Sequence, residues 1–360
     1  MIPIDLSPTL VIGTGLVGAS VGLALTRAGV QVHLADRVSS HARVAASLGG
    51  GTTAKPDPAA IRLVVVAVPP DALAGVVEKA LATHPNATVT DVGSVKGTVL
   101  TALRTRGLDL SRYVGSHPMA GSQKMGPLTA NPDLFVDRTW VVTPHDTSAG
   151  NAVLDVQELA RLCGARRVTM GAAHHDEAVA QVSHLPHLVS ALVAASLTRV
   201  PTEHLRLAGQ GVRDVTRIAG GDPELWRQII TANRAAVRQE LAALQTDLAQ
   251  MMAALDDPAQ ITALLERARE GTRALPGKHG LAPVDYARVV VEIPDEPGAL
   301  ARLFVDIEAA GVNVEDLSID HDADREIGYL SLQVGPDRAG DLRTAMTAAG
   351  WTLREPESTL

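Results

Sequence analysis

The sequence predicts an α/β fold with three parts: a doubly wound, mostly parallel sheet over residues 1–170, an all-helical domain over 171–275 and a small βαββαβ domain over 286–360. Three observations support this division. Short apolar strands alternate with helical segments as far as Val168, β patterns then stop until about residue 287, and strands return in the last part of the chain. Alternation of strands and helices is typical of a parallel sheet that is covered by helices on both faces.

Composition limits the class of protein. A chain of 360 residues with 46% hydrophobic side chains is long enough to form two or three domains with their own cores. The formal net charge of -8, without any basic block, argues against a nucleic-acid partner. The single cysteine, Cys163, excludes an internal disulfide and favours a reducing compartment, so we expect a cytoplasmic protein. No signal-peptide pattern and no apolar run of about 18 residues is present, so we expect no membrane span.

A glycine-rich motif, GTGLVG at positions 13–18, directly follows the first apolar strand. A helix and a second strand come next, and Asp36 ends that strand, eighteen residues after the last glycine of the motif. Glycines let the backbone approach a pyrophosphate at the helix N-terminus, and the acid accepts hydrogen bonds from an adenosine ribose. The carboxylate disfavours the 2′-phosphate of NADP, although Arg37 beside it could weaken this preference. We therefore predict a Rossmann domain that binds NAD through Gly13, Thr14, Gly15, Leu16, Val17, Gly18, Asp36, Arg37, Val68, Pro69 and Ser94.

His117 belongs to a segment that is too rich in glycine and proline for a plain helix or strand, GSHPMAGSQKMGP over residues 115–127. Such a segment is typical of a shaped loop, and a histidine in it can exchange a proton near neutral pH. Because ligands bind at the carboxyl ends of parallel strands, we expect four loops to converge, those of Gly13, Pro69, Ser94 and His117. Ser94 is either a neighbour of His117 or the N-cap of the helix that follows it, and the sequence leaves both open.

The helical domain begins with a segment over residues 172–197, in which Pro186 should kink the helix. A second long helix is predicted through Met252, with Asp222 as its N-cap and Pro223 as its first residue. Apolar residues recur along it on more than one face, which favours packing against a second subunit. We therefore predict a homodimer.

His184 and His187 are spaced i, i+3 and could bind a metal, but no cysteine pair or cluster of carboxylates completes such a site, so we predict none. Recognition of an anion is the better use of this segment. Two arginines follow in VRDVTR, and a guanidinium binds a carboxylate through two parallel hydrogen bonds. Arg217 is the candidate for this contact, whereas Arg213 is expected to pair with Asp214.

The last part of the chain is predicted to be a separate small domain. Residues 271–283 are rich in glycine and proline and are typical of a linker. Beyond them the predicted elements follow the order βαββαβ within about 70 residues, as in ferredoxin-like domains. No catalytic group is evident in this part of the sequence.

Several motifs in the right order resemble those of the prephenate/arogenate dehydrogenase family with a C-terminal ACT regulatory domain, and the resemblance covers nearly the whole chain. These motifs are VIGTGLVGAS, DVGSVK, SHPMAGS, VSHLPH, VRDVTRIAGGDPELW and IPDEPGALARLF. The resemblance implies an NAD-dependent oxidative decarboxylation of prephenate to 4-hydroxyphenylpyruvate in tyrosine biosynthesis. It also implies that His117 is the catalytic histidine, which engages the ring hydroxyl, and that Ser94 orients both groups.

The resemblance further implies four substrate-binding positions, Gln123, His184, Arg217 and Trp226. Gln123 stands six residues after the histidine, where some members of the family carry an acid. An acid suits the ammonium of arogenate, whereas an amide better tolerates the keto acid of prephenate. We therefore favour prephenate and keep arogenate as the alternative. For Trp226, packing of its helix is the competing interpretation.

The ACT resemblance implies feedback by an amino acid bound near Gly298, Ala299 and Asn313. Tyrosine is the natural effector, and a dimerisation module without a ligand is the alternative. Two other classes compete for the whole chain. A β-hydroxyacid dehydrogenase would need a catalytic lysine in the helical domain, and residues 171–270 contain none. A non-catalytic NAD-binding amino-acid sensor would bind nucleotide without turnover, and it leaves the histidines and the arginine of the predicted site unexplained.

Overall fold

The structure is a computed structural model, and it describes residues 4–121, 126–275, 286–321 and 327–354. The chain separates into two compact units, Met1–Gln250 and Met251–Leu360. The predicted sheet domain and most of the predicted helical domain lie in the first unit. The βαββαβ segment lies in the second unit.

The first sheet has four parallel strands in the order β2-β1-β3-β4, namely β1 (Thr9–Ile12), β2 (Val32–Ala35), β3 (Leu63–Val66) and β4 (Thr88–Asp91). Its helices are α1 (Leu16–Arg27), α2 (Ser39–Ser47), α3 (Pro70–Thr83) and α4 (Gly97–Thr105). Along β3, Leu63 and Val65 pack into one apolar cluster, whereas Val64 and Val66 pack into another on the opposite face. The predicted parallel sheet, buried on both faces, is confirmed.

A second sheet of three strands carries His117. Its strands are β5 (Gly115–Pro118), β6 (Thr139–Thr143) and β7 (Arg166–Thr169), with α5 (Gly150–Leu162) between the last two. β5 is antiparallel to β6, and β6 is parallel to β7. The segment predicted as a loop therefore begins as a strand. Four residues suffice for this pairing, and the proline stands last in β5, where strands tolerate it.

The helical part of the first unit contains α6 (Ala172–Val179), α7 (Leu185–Ser196), α8 (Thr202–Leu205), α9 (Gln210–Thr216), α10 (Pro223–Ala232) and most of α11 (Arg234–Ala254). The kink predicted at Pro186 takes the form of a π-helical turn, Ala180–His184, which joins α6 to α7. Proline cannot donate a hydrogen bond to the preceding turn, and a wider turn accommodates the missing bond. His184 is the last residue of this turn.

The prediction of a single long helix from the N-cap Asp222 to Met252 is wrong. The structure has two helices there, which are separated at Asn233. Asp222 is the N-cap, as predicted, and accepts hydrogen bonds from the backbone nitrogens of Glu224 and Leu225 at 2.8 and 2.9 Å. Asn233 has φ -107° and ψ 24°, outside the helical range. Its side chain is buried and bonds to the α6–α7 segment, so tertiary contacts override the helical pattern of the sequence.

The stretch Ala172–Arg199 is long and apolar enough, by length and composition alone, to cross a membrane. Its most apolar window has a mean hydropathy of 1.3, and 28% of that window is buried within the chain. The stretch includes the buried residues His175 and His184.

The second unit begins with α12 (Pro258–Arg273) and continues with β8 (Ala287–Pro294), α13 (Ala299–Ala309), β9 (Val314–His321), β10 (Ile327–Val334), α14 (Ala339–Ala348) and β11 (Leu353–Arg354). The order βαββαβ is the one that the sequence predicts, and the sheet is antiparallel in the order β11-β8-β10-β9. The predicted linker is shorter than expected, because α12 extends to Arg273. Positions 276–285 lie outside the described residues.

Candidate active site

The glycine loop after β1 lies against the end of β3. Gly13 has a φ of +92°, and a Cβ there would lie 2.4 Å from the carbonyl oxygen of Ala67. A Cβ on Gly18 would lie 1.9 Å from the carbonyl oxygen of Gly13. Both positions therefore require glycine. At Gly15, by contrast, a Cβ would meet no atom within 4 Å, so this part of the loop borders open space.

The N-terminus of α1 fits an anion. Gly15 is its N-cap and supplies no capping side chain, and the first turn, which contains Leu16 and Val17, has no acidic residue. The first amide groups of the helix are thus suited to a phosphate. Val68 and Pro69 follow β3, and Val68 Cγ1 is 3.0 Å from where a Cβ of Gly13 would stand. The loops of Gly13 and Pro69 therefore converge, and together they fit the pyrophosphate of a dinucleotide.

Asp36 connects the glycine loop to the end of β2. Its Oδ2 accepts hydrogen bonds from the backbone nitrogen of Thr14 at 2.7 Å and from the Thr14 hydroxyl at 3.0 Å. Its Oδ1 accepts from the backbone nitrogen of Val38 at 2.8 Å. A carboxylate has about four acceptor positions, so it retains capacity for a ribose hydroxyl. Arg37 is exposed beside it.

His117 belongs to a chain of three side chains. Its Nδ1 is 2.9 Å from Nε2 of His175, and Nδ1 of His175 is 2.8 Å from Oδ1 of Asp176. His175 is fully buried, whereas His117 is half-buried at the end of β5. The resemblance assigns the orienting role to Ser94, which is half-buried in the loop between β4 and α4. In the structure the hydrogen-bond partner of His117 is His175.

Asp176 also caps α4, although the two are far apart in sequence. Its Oδ1 accepts a hydrogen bond from the backbone nitrogen of Lys96, and its Oδ2 accepts from that of Gly97, both at 2.8 Å. The helix begins after Lys96, so the possible N-cap role of Ser94 is not realised. The reason is that a carboxylate from α6 already satisfies the first amide groups.

A buried ion pair supports the strand that carries His117. Lys96 Nζ donates to Asp91 Oδ1, and it also donates to the carbonyl oxygen of Ser116 at 2.8 Å. The hydroxyl of Tyr113 donates to Asp91 Oδ2 at 2.7 Å. Lys96 and Asp91 are almost fully buried, so removal of one partner would leave an uncompensated charge. This network joins the end of β4 to β5 directly beneath His117.

His184 is held by Asn233. The Nδ2 of Asn233 donates to the carbonyl oxygen of Asp176 at 2.7 Å and lies 3.1 Å from Nδ1 of His184. A carbonyl can only accept, so the amide nitrogen must face it and must also donate to the histidine. Nδ1 of His184 is therefore the acceptor, and in the neutral ring the proton is on Nε2. His184 therefore offers an uncharged hydrogen-bond donor, Nε2–H.

Trp226 packs against both histidines of the SHLPH motif. Its ring stacks on that of His187 with a centroid distance of 3.5 Å and an interplanar angle of 9°. The ring of His184 meets it edge-on at 6.2 Å. A Cβ on Gly221 would lie 2.7 Å from Trp226 Nε1, so glycine is required beside the indole. The structure thus brings His184 and Trp226 together, while their roles in substrate binding stay predictions.

The other predicted substrate contacts are Arg217 and Gln123. Arg217 is exposed and begins the 3₁₀ turn Arg217–Gly220, which packs against α7. The expected pair of Arg213 with Asp214 is absent among the described residues, and Asp214 accepts from Gln210 at 2.9 Å instead. Consecutive residues on a helix do not face each other, whereas residues four apart do. Gln123 lies outside the described residues.

The histidines of the site are biased toward the neutral form. Burial lowers the pKa of His117 well below its usual value, and the nearby cationic forms of His175, Lys96 and His184 lower it further. Burial likewise lowers the pKa of His184 to about 4, against the opposing effect of Asp176. At neutral pH His117 is thus able to accept a proton.

Sequence reasoning missed four residues of this site. His175 and Asp176 occur in the letters HHDE at the start of a helix, Lys96 follows an apolar strand, and Asn233 interrupts an alanine-rich run. Each is a polar residue where the pattern calls for burial, which is the one signal that could have found them. The contacts that join them to distant segments, His117 to His175, Lys96 to Asp176 and Asn233 to His184, span 49 to 80 residues of sequence.

The second unit has a cavity at the N-terminus of α13. Its volume is about 350 Å³, and its lining includes Gly298 and Ala299 together with the acids Asp295 and Glu296. Two of the three predicted effector positions therefore share a cavity. Asn313 does not line this cavity, and its Nδ2 donates to Glu315 Oε1 at 2.6 Å, so its role in effector binding stays a prediction.

Comparison with known proteins gives the family. Residues 21–169 match the family described as prephenate dehydrogenase, nucleotide-binding domain, and residues 171–267 match prephenate dehydrogenase, dimerization domain. The probable prephenate dehydrogenase NovF of Streptomyces niveus is 33% identical over 355 residues, which are 95% of this chain and 98% of that protein.

Solved structures match about three quarters of the chain. The prephenate dehydrogenase of Aquifex aeolicus, in complex with hydroxyphenyl propionate and NAD+, matches with a TM-score of 0.67 and 26% identity over 75% of this chain and 97% of that one. Synechocystis arogenate dehydrogenase matches with a TM-score of 0.63 and 27% identity over 73% and 98%. The glycine loop, the hydrogen-bonded histidines and these matches lead to one conclusion: the chain is an oxidoreductase that belongs to the prephenate dehydrogenase family.

Proposed function

We propose that this enzyme catalyses the NAD-dependent oxidative decarboxylation of prephenate to 4-hydroxyphenylpyruvate, a cytoplasmic step of tyrosine biosynthesis. The observation that carries the proposal is the hydrogen bond between His117 and the buried His175. One nitrogen of a neutral histidine is held there, and the other is left to act as a base. A base of this kind suits a reaction that must remove a hydroxyl proton.

The residues act in one sequence of bond changes. Nε2 of His117 accepts the proton of the ring hydroxyl as the C–H bond on the same carbon breaks. When bound, NAD supplies the acceptor for the hydride from that carbon. The bond from the ring to its carboxylate then breaks, carbon dioxide leaves, and the electron pair moves through the ring to the oxygen, which takes the proton back from His117 to form the phenol. His184 and Arg217 bind the carboxylates of the substrate through Nε2–H and the guanidinium.

The preference for NAD rests on Asp36. Its carboxylate is fixed by Thr14 beside the glycine loop, and a 2′-phosphate brought to this point would meet its charge. Asp36→Asn should therefore narrow the difference between the two dinucleotides. An enzyme that uses NADP as well as NAD before any substitution would contradict this assignment.

The test of the reaction is a spectrophotometric assay of reduced nicotinamide, with prephenate and arogenate offered separately, each with NAD and with NADP. We expect turnover of prephenate with NAD. Faster turnover of arogenate would keep His117 as the base and reject the use of Gln123 as a selectivity residue. No turnover in any combination, together with intact binding of NAD, would favour the non-catalytic sensor.

We also propose that the second unit is an ACT domain that binds tyrosine. Gly298, the N-cap of α13, has a φ of +89° and supplies no capping side chain, so the helix suits a carboxylate. Asp295 and Glu296 on the same cavity suit an ammonium. Equilibrium dialysis should detect tyrosine at micromolar to millimolar concentration, and Glu296→Gln should weaken binding. Absence of binding at millimolar tyrosine would leave a dimerisation module without a ligand.

The homodimer is proposed from the helical part. Exposed apolar side chains lie on the α6–α7 stretch, among them Val182 and Leu192, at 67% and 63% exposure. Burial of such residues in an interface stabilises a dimer. Sedimentation equilibrium should give twice the chain mass, and Leu192→Asp should shift it toward the monomer. A wild-type monomer at micromolar concentration would reject the proposal.

A further inference from the structure

We propose that Asp176, acting through His175, is a positioning residue that determines which nitrogen of His117 carries the proton. The inference rests on the proposed function of His117 as the base. Three side chains from two elements are involved, His117 on β5 and the consecutive residues His175 and Asp176 on α6. Neither residue of α6 needs to touch the substrate for this role.

The direction of the hydrogen bonds follows from Asp176. An ionised carboxylate can only accept, and this one already accepts from the backbone nitrogens of Lys96 and Gly97. The contact of 2.8 Å with His175 is then a donation from Nδ1–H of the histidine. In a neutral ring with its proton on Nδ1, Nε2 is an acceptor. The 2.9 Å contact therefore requires His117 to donate from Nδ1, which leaves its Nε2 free.

The opposite arrangement would disable the base. If the proton of His175 were on Nε2, that group would donate to Nδ1 of His117, and His117 would present Nε2–H toward the hydroxyl. Among the residues that the structure describes, the charged and titratable groups around the His117 ring are Lys96, His175 and His184, with Asp176 beyond His175. Asp176 supplies the negative charge at the end of the hydrogen-bonded series His117–His175–Asp176, so it also stabilises the imidazolium that forms when His117 takes the proton.

Asp176→Asn is the decisive substitution. Oδ1 of Asp176 faces both the Lys96 nitrogen and Nδ1 of His175, whereas Oδ2 faces the Gly97 nitrogen, so an asparagine keeps an acceptor at only one of these two positions. In either orientation the negative charge behind His175 is lost, so the imidazolium that forms on His117 is no longer stabilised. We expect turnover to fall by roughly 10² or more while the Michaelis constant changes little.

The matched variants separate positioning from folding. His175→Phe leaves the cap of α4 in place and removes the acceptor for His117, so turnover should again fall by roughly 10². His175→Gln can offer a carbonyl oxygen to Nδ1–H of His117 and should recover part of this loss. His174→Gln changes the exposed neighbour on the same helix and should behave as wild type. If Asp176→Asn fails to fold, the two His175 variants still test the proposal.

The direct readout is ¹H–¹⁵N correlation through two bonds in the imidazole rings, with His117 assigned from the spectrum of His117→Asn. We expect protonation of His117 at Nδ1 in the wild type and a shift toward the Nε2–H form in His175→Phe, which removes the acceptor for Nδ1–H. An Nε2–H form in the wild type, or full turnover in His175→Phe, overturns the proposal. An enzyme inactive with both prephenate and arogenate, yet with Nδ1–H on His117, would reject the proposed function and uphold this inference.

Discussion

Two regions of the first unit each hold a desolvated histidine, and the two histidines present Nε2 in opposite protonation states. At the end of β5, His117 donates from Nδ1 to the His175–Asp176 pair, and its unprotonated Nε2 can accept a proton. At the end of the π-helical turn, His184 accepts from Asn233 at Nδ1 and presents Nε2–H. The residue type and the neutral charge are the same. The chemistry therefore depends on the partner of Nδ1, which decides whether the ring is a base or a donor.

The largest expected effect comes from removing the base itself. His117→Asn should lower turnover by roughly 10² or more, because the ring hydroxyl loses its proton acceptor, while substrate binding is kept. Steady-state kinetics give the turnover, and calorimetric titration with a non-reacting analogue gives the affinity. Turnover near that of the wild type would show that His117 is not the base.

His184 and Arg217 are both assigned to the carboxylates of the substrate, so loss of the Arg217 guanidinium should affect substrate binding rather than turnover. Arg217→Ala should raise the apparent Michaelis constant by roughly tenfold to a thousandfold, because a bidentate ion pair with a carboxylate is lost. Arg213→Ala on the neighbouring turn is the control and should change it little. A fall in turnover at an unchanged Michaelis constant would assign Arg217 to the chemical step instead.

Acid should destabilise the region of His184. Its pKa is about 4 in the folded protein and 6.5 in the unfolded chain, so between these values the unfolded chain binds more protons. The free energy of unfolding should therefore decrease as the pH falls from about 6.5 to about 4, by roughly 3 kcal/mol for this histidine. Urea denaturation at several pH values measures it. His184→Gln should flatten the dependence, and an equal slope in that variant would exclude His184 as the cause.

A smaller effect should follow from changing the partner of His184. Asn233→Asp replaces a donor by an acceptor, so Nδ1 of His184 would gain a proton and the pKa of this histidine should rise above about 4. Substrate affinity should fall by roughly tenfold. An NMR titration of the imidazole follows the pKa. The comparison between the two histidines would fail if His117, and not His184, responded.

Much of the local structure follows from the sequence. The glycine motif, the apolar β3 and the Asp222–Pro223 helix start are each found where the pattern places them. These features depend on backbone sterics and on hydrogen bonds within a few residues, so residues that are adjacent in sequence determine them. The order βαββαβ of the second unit follows for the same reason.

The hydrogen-bond network of the site was decided by the tertiary structure. His117 and His175 are 58 residues apart, and Asp176 caps a helix that begins 79 residues before it. Asn233 breaks a helix that its own neighbours favour, because its buried amide gains partners on another segment. A sequence pattern can indicate that a histidine acts. The acceptor or donor beside its second nitrogen depends on how distant segments pack, and that contact determines which way the proton moves.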